Sequence, residues 1–302
     1  MTAFTLAHLS DPHIPPLPVP HLRELLGKRV LGYLNWIRNR HTIHRRDVLD
    51  ALVADMLAQR PDHIAVTGDL VNLALRGEFA PARAWLERVG PPDRVSLVPG
   101  NHDAYVAETR HLASEAWGDY MRGDGAGAAT GFPYLRRRGP LALIGVSTAV
   151  PTAPFMATGA LGLAQIAALD RMLAGLSSDP SFRVLLIHHP LRSKHSHKRL
   201  TDSLELQAVL KRHGVDLVLH GHDHVHATIW VDGLRGKIPV VGVPSASSIA
   251  DGHKPAAAYN LFSITREGEG WKCWQQVRGF GNGPGIGELQ NIELRDDQRT
   301  SS

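Results

Sequence analysis

Short apolar runs alternate with longer amphipathic ones along this chain. Phe4–Leu9, His63–Thr67, Val95–Val98, Val184–Ile187 and Val215–Leu219 are dense apolar runs of four to six residues. That length and density predict strands buried on both faces. Between them, apolar residues recur with a helical period. From Arg46 to Arg60, Val48, Leu49, Leu52, Val53, Met56 and Leu57 make one broad face, and Pro61 ends the helix. Gly77–Val89, Leu163–Leu173 and Asp202–His213 predict further helices, and Tyr105–Met121 reads as helical. Phe132–Arg138 and Leu141–Ser147 predict a hairpin turned at Gly139-Pro140, preceded by a flexible stretch, Gly123–Gly131. Ala227–Val231, Ile238–Val243, Tyr259–Ile264 and Trp271–Val277 predict a strand-rich final third. Beyond Gly279, glycine and polar residues prevail, which predicts an extended or disordered tail over 279–302. The rest, 1–278, reads as one α/β domain.

One segment, about 17–46, departs from this rhythm as a basic helical insertion. Within His21–Arg40, Leu22, Leu26, Val30, Tyr33 and Ile37 fall near one helical face, with Leu25 and Trp36 beside it. Arg and Lys occupy much of the remainder. Two readings stand. The helix packs its apolar face on the core and leaves a basic face in water. Alternatively it is a flap over a functional site that meets an anionic head group or membrane surface, which requires Trp36 to be partly exposed. Gly27 and Gly32 weaken a continuous helix.

Charge sharpens that picture. Residues 21–46 hold seven Lys/Arg against Glu24, a net +6, while the whole chain is only +4. The remainder is therefore mildly acidic, and general nucleic-acid binding is not expected. With 302 residues and 43% hydrophobic content, a sizeable core is available. The single cysteine, Cys273, cannot make an internal disulfide, which is compatible with a reducing compartment. No leader is visible before the first strand, and no run of about 18 apolar residues occurs. These features predict a cytoplasmic protein, with peripheral contact to an anionic membrane through 21–46 as a further expectation. An oligomer is compatible with all of them.

Five short motifs carry the candidate chemistry, each after a strand-like run. They are Asp11-Pro-His13, Gly68-Asp69, Gly100-Asn101-His102-Asp103, His188-His189-Pro190 and Gly221-His222-Asp223-His224. Taken singly they are weak. Asp-x-His places two ligands on one side of an extended backbone, but it also suits a solvated turn. Gly-Asp is usually a turn, and a histidine after four aliphatics could be a satisfied core residue. Their combination is informative, because ligands just after strands can meet at one sheet edge. Seven side chains (Asp11, His13, Asp69, Asn101, His188, His222 and His224) are too many for one tetrahedral ion. They suit two divalent ions sharing a carboxylate.

This motif set resembles that of the calcineurin-like metallophosphoesterases: D-x-H, G-D, G-N-H-[DE], a later H, and G-H-x-H. The resemblance spans about Leu6 to His226, with no ligand position substituted. It implies a four-layer αββα sandwich of two mixed β-sheets flanked by helices. It also implies that Asp11, His13, Asp69 and His224 hold one metal, and Asp69, Asn101, His188 and His222 the other. By the same resemblance His102 is catalytic, contacting phosphate and protonating the leaving oxygen, with Asp103 orienting it. His188 rather than His189 follows from the family's H-H-P pattern. Asn101 and His102 would touch the substrate phosphate. Arg192 and Lys194, in the charged loop after His188, would join them unless that loop is merely solvated.

The implied activity is binuclear metal-dependent phosphoester hydrolysis. The leading expectation is a phosphodiesterase acting on small phosphodiesters such as cyclic nucleotides, with Mn, Fe, Zn or Co all compatible with the ligands. The alternatives are a peripheral membrane enzyme cleaving a lipid-linked pyrophosphate or phosphodiester, a nuclease, and a non-catalytic scaffold.

Overall fold

The computed structural model describes residues 3–25, 27–125, 131–281, 283 and 285–296. Leu26 and most of the Gly123–Gly131 stretch lie outside them. Two six-stranded mixed sheets form the centre. In the first, β1 (Phe4–Leu9), β2 (His63–Val66) and β3 (Val95–Leu97) run parallel. Antiparallel strands β10 (Ala258–Glu267), β11 (Gly270–Phe280) and β12 (Ile286–Asp296) extend it on the β1 side. In the second, β5 (Leu141–Gly145), β6 (Phe182–Leu186), β7 (Leu217–His220) and β9 (Gly236–Gly242) are parallel. Antiparallel strands β4 (Tyr134–Arg138) and β8 (Ala227–Gly233) close its two edges.

The period of two in the apolar runs assigns each side chain to a layer. Leu143, Val184, Leu186, Leu217, Leu219 and Val241 share one buried core with Leu6, Ile64 and Val66 of the first sheet. Their neighbours Ile144, Leu185, Ile187, Val218 and Val240 pack instead with Leu169 and Leu173 of α6 (Leu163–Gly175) and Leu206 and Leu210 of α7 (Ser203–His213). On the first sheet, α3 (Arg46–Ala58), α4 (Arg76–Val89) and α5 (Arg110–Trp117) contribute Leu49, Leu52, Met56, Phe79, Trp85 and Trp117. The layers are therefore helix, sheet, sheet, helix. Burying each such side chain stabilises the fold by roughly 1.5–3 kcal/mol, so continuous apolar runs decide where the strands lie.

Two expectations need correction. The segment from 279 is not a loose tail, because β12 pairs with β11 over most of its length and buries Leu294. Its polar residues, such as Glu288, Gln290 and Asn291, hide this from composition, but polar side chains suit an edge strand. Residues 297–302 lie outside the described residues. The insertion is also not one amphipathic helix. It comprises a 3₁₀ turn (Leu22–Glu24), α1 (Lys28–Asn35), a π-helical turn (Trp36–Arg40) and the single turn α2 (His41–Ile43). Gly27, at φ 63°, breaks the chain before α1. Trp36 is buried and stacked near His44, while Leu22, Val30 and Ile37 are exposed. The exposed aliphatics depart from the core-packed reading, and the buried Trp36 departs from the membrane-facing one, which required it to be partly exposed. Among the described residues, no helix is long and apolar enough to cross a membrane.

Candidate metal centre

The five motifs emerge at the carboxyl ends of β1, β2, β3, β6 and β7, on one rim of the sheet pair. The first sheet supplies Asp11, His13, Asp69 and Asn101; the second supplies His188, His222 and His224. The motif glycines permit the contact. A Cβ on Gly100 would overlap the Asp69 carboxylate, and one on Gly221 would overlap Ser10 and the Asp11 carboxylate. No side chain fits at either position.

The ligands converge by a route that strand alternation does not provide. Asp11, His13, Asp69, His222 and His224 all have left-handed backbones, at φ 52°, 37°, 57°, 70° and 55°. Such conformations cost roughly 1–3 kcal/mol each for residues with side chains. The pairs at positions i and i+2 thus meet through tight left-handed turns, not along an extended strand. Hydrogen bonds hold these turns. Asp11 N–H donates to Gly68 O (2.9 Å), His13 N–H to Asp69 O (3.0 Å), and His222 N–H to the Asp11 carboxylate (3.0 Å).

The ligand atoms form two groups that share Asp69. Asp11 Oδ1 lies 3.1 Å from His224 Nε2, and His13 Nε2 lies 3.3 Å from His224 Nε2. His13 Nε2 is also 3.8 Å from Asp69 Oδ2. On the other side, the same Asp69 Oδ2 is 3.4 Å from His188 Nε2. Asn101 Oδ1 is 3.2 Å from His188 Nε2 and 2.9 Å from His222 Nδ1. Asp11, His13 and His224 could hold one ion; Asp69, His188 and His222 could hold another. The donor set fits two borderline divalent cations. Imidazole nitrogens and carboxylate oxygens crowd to hydrogen-bond distance while largely buried, and a cation would satisfy all of them.

Electrostatics points the same way. Burial opposes ionisation of Asp11, yet His224 and His188 hold its carboxyl well below the usual range. Burial also opposes charge on His188, but Asp69 and Asp11 outweigh it and lift the imidazole to about 10. Burial pushes His13 and His222 well below the ordinary histidine value, which leaves neutral rings free to ligate. His189 turns away: Nδ1 pairs with Thr148 Oγ1 (2.7 Å) and Nε2 with Ala157 O (3.2 Å). His188 is the member of the pair that faces the ligands.

His102 stands beside this group, its ring centroid 4.8 Å from that of His13. Its Nδ1 is fixed by Asn72 O, so Nε2 points towards Arg40 Nη1 at 3.3 Å. Burial lowers its pKa to about 4, against the pull of Asp69 and with the help of Arg40. Asp103 does not orient it. The Asp103 carboxylate accepts N–H bonds from Asp69, Leu70 and Gly100 at 2.8 Å each and from Val71 at 3.1 Å. It therefore shapes the loop that carries Asp69, and the expected bond to His102 is replaced by the Asn72 carbonyl.

A cavity of about 630 Å³ opens over the ligands. Lys28, Arg40, Lys198 and Lys254 line it, together with Leu31, Phe155 and Met156. Arg192 and Lys194 do not line it; Lys194 is exposed and Arg192 sits at its own loop's surface. The loop instead offers His197 and Lys198 after a 3₁₀ turn, while the charge of Arg192 bears on Asp232. His44 has no motif to mark it. It lines the cavity, packs 4.8 Å from His13, and is held through Nδ1 by Ser247 Oγ (2.8 Å). Arg40 and Lys254 are equally inconspicuous in sequence, because chain folding alone brings them to the rim.

Comparison with known proteins agrees with this geometry. The fold is similar to that of a dimetal phosphatase from Danio rerio, with TM-score 0.64 and 12% identity over 97% of this chain and 99% of that one. It is also similar to purple acid phosphatase PPD1 from yellow lupin seeds (TM-score 0.56, 14% identity, 100% of this chain and 55% of that one). A 5'-nucleotidase precursor from Thermus thermophilus gives TM-score 0.51 at 14% identity over 90% of this chain and 54% of that one. No match was found among curated proteins. The family profile described as calcineurin-like phosphoesterase matches residues 4–226, the stretch that contains every motif above. With its two mixed sheets and its paired His/Asp groups at one rim, the chain belongs to the calcineurin-like phosphoesterase family.

Proposed function

We propose that this member of a phosphoester-hydrolase family cleaves a phosphodiester or pyrophosphate bond in an amphiphilic substrate. The observation that carries the reading is the cavity. At about 630 Å³ it falls within the range of sites that enclose drug-sized ligands. Its wall divides into a cationic part, with Lys28, Arg40, Lys198 and Lys254, and an apolar part, with Leu31, Phe155 and Met156. A cyclic nucleotide, the leading expectation from sequence, would offer that wall only the face of its base, whereas an acyl chain would cover it along its length.

The residues would act as follows. Asp11, His13, Asp69 and His224 would hold one divalent ion, and Asp69, Asn101, His188 and His222 the second. Bound there, the ions would neutralise phosphate charge and provide a nucleophile at neutral pH. Arg40 and Lys254 would attract the anionic ester into the cavity. His102, with Nδ1 committed to Asn72 O, would present only Nε2 to the substrate. A phosphate entering between His102 and Arg40 would displace the arginine and favour a proton on Nε2. That proton would pass to the leaving oxygen as the phosphorus–oxygen bond breaks.

The test is a panel of soluble substrates with metal-reconstituted protein: cyclic nucleotides, bis-nitrophenyl phosphate, and a short-chain lipid phosphodiester below its micellar concentration. The short-chain lipid ester is expected to give about tenfold higher kcat/KM than any cyclic nucleotide, the advantage of burying two or so methylenes. A preference for cyclic nucleotides would return the assignment to that class.

A further inference from the structure

The helix beside the cavity mouth is inverted relative to an ordinary surface helix. Arg29 is buried, with Nε on Leu73 O (3.0 Å) and Nη2 on Ala74 O (2.5 Å) and Thr109 Oγ1 (3.0 Å). Lys28 Nζ bonds Thr152 Oγ1 (2.7 Å) and Met156 O (3.1 Å). Gly32 lies so close to Leu73 and Tyr105 that a Cβ would collide with both. These contacts fix which side of α1 faces the protein. The opposite side carries Val30 and Leu34, four apart and exposed by 40% and 44%, and Ile37 in the adjoining π-helical turn is exposed by 48%. A solvated helix turns its cations to water and its aliphatics inward. Here Lys28 and Arg29 turn inward and the aliphatics turn out.

Exposed apolar residues also flank the helix, in the preceding turn and on the cavity wall. Leu22 is 88% exposed in the preceding turn, and Phe155, on the cavity wall, is 82% exposed. Leu31 belongs both to this surface and to the cavity lining. The apolar patch and the cavity mouth are thus continuous. Single exposed aliphatics are ordinary, whereas a contiguous group marks an interaction surface. The exposed charges around the patch are mainly cationic, with Asp251 the one exposed acid among the described residues of the cavity wall. Arg38 is exposed within it, and Lys194 is exposed on the loop after β6, whose Lys198 lines the cavity. Glu24 is the only acid in 21–46, and its carboxylate is occupied by the N–H groups of His21 and Arg76. A second copy of this chain would set cation against cation. An anionic lipid surface accepts both components, aliphatics at the acyl boundary and cations among the head groups.

We propose that α1, Leu22 and Phe155 dock this protein on an anionic bilayer with the cavity mouth towards the lipid, so that an amphiphilic ester enters from the membrane. This rests on the amphiphile reading given above. It differs from a simple basic-helix contact, since Trp36 is buried and takes no part.

The test uses the full-length, metal-loaded protein and vesicles of phosphatidylcholine with or without phosphatidylglycerol. Cosedimentation is expected with the anionic vesicles at low salt, weakening as salt screens the cations. Leu34→Glu/Ile37→Glu, at two exposed positions outside the cavity lining, is expected to lower partitioning about tenfold or more while bis-nitrophenyl phosphate hydrolysis stays unchanged. That retained hydrolysis reports a folded variant; should it be lost, Leu22→Glu alone repeats the measurement outside the helix. Equal binding to neutral vesicles, or none to anionic ones, would overturn the proposal. A wild-type dimer that becomes monomeric in the variant, without vesicle binding, would assign the patch to a second copy and also overturn it. If the short-chain lipid ester in solution is hydrolysed but vesicles are not bound, docking fails and the function stands. If vesicles are bound but no lipid ester is hydrolysed, the function fails and docking stands.

Discussion

His102 is fixed from behind, and this limits what its removal can do. Its Nδ1 is held by Asn72 O, and none of the backbone N–H donors that shape the Asp69 loop depends on its ring. If it protonates the leaving oxygen, its value depends on how badly that oxygen needs a proton. His102→Ala is expected to reduce turnover about 10²–10⁴-fold on an alkyl phosphodiester. On a nitrophenyl ester, whose leaving group departs readily as an anion, the loss should be clearly smaller, with metal content nearly unchanged. Steady-state kinetics on both esters checks this; equal losses would make His102 a phosphate holder only. His188 sets a second expectation. Burial disfavours its charge, but Asp69 and Asp11 raise it to about 10, so in the metal-free protein it carries a proton at neutral pH. A histidine must be neutral to ligate, so metal uptake has to expel that proton. Below about pH 10, apparent affinity at this site should rise with pH by up to about tenfold per unit. Calorimetry in buffers of different ionisation enthalpy would reveal the proton release, and a pH-independent affinity would contradict the assigned charge state.

Among the elements, α1 shows where sequence patterning stops being informative. Its apolar residues recur correctly for a helix, yet the periodicity does not say which face meets the protein. Gly32 decides that, because only a glycine lets the helix seat on Leu73 and Tyr105. A glycine signals a close approach without naming the partner. The strands are more legible, since a run buried on both faces needs no choice of side. The metal ligands are legible because coordination chemistry restricts their residue types and their order matches the family's motifs. Their left-handed backbones are not, because Asp and His are enriched at positive φ but still adopt it in a small minority of cases. Asp103 is recognisable as part of a motif, but its role as acceptor for four backbone N–H groups depends on loops that meet only in the fold. Gly32→Ala tests the seating of α1. The added methyl gains up to about 1 kcal/mol of helix propensity. It also meets two side chains at overlap distance, and overpacking costs typically about 1–3 kcal/mol. Lifting of α1 is the expected outcome, read as faster hydrogen exchange at its amides with the main thermal transition little changed. Unaltered exchange in α1 would mean that Leu73 and Tyr105 yield instead.

At the scale of the whole molecule, the two sheets meet through an apolar interior and through one polar rim. Asp11, His13, Asp69 and Asn101 come from one sheet, and His188, His222 and His224 from the other. Each proposed ion therefore draws donors from both. Divalent ions seated there would behave as rivets through two plates, fastening them at the rim where strained turns weaken the seam. A ligand that binds only the folded state adds stability by mass action, about 2.7 kcal/mol for a site held at 100 times its dissociation constant. Chelation should accordingly lower the melting temperature of the entire fold, and thermal scans with and without chelator would measure it. The same rivets make loss of metal a mechanical event as well as a chemical one: with them gone, the rim can gape while the apolar seam below still holds.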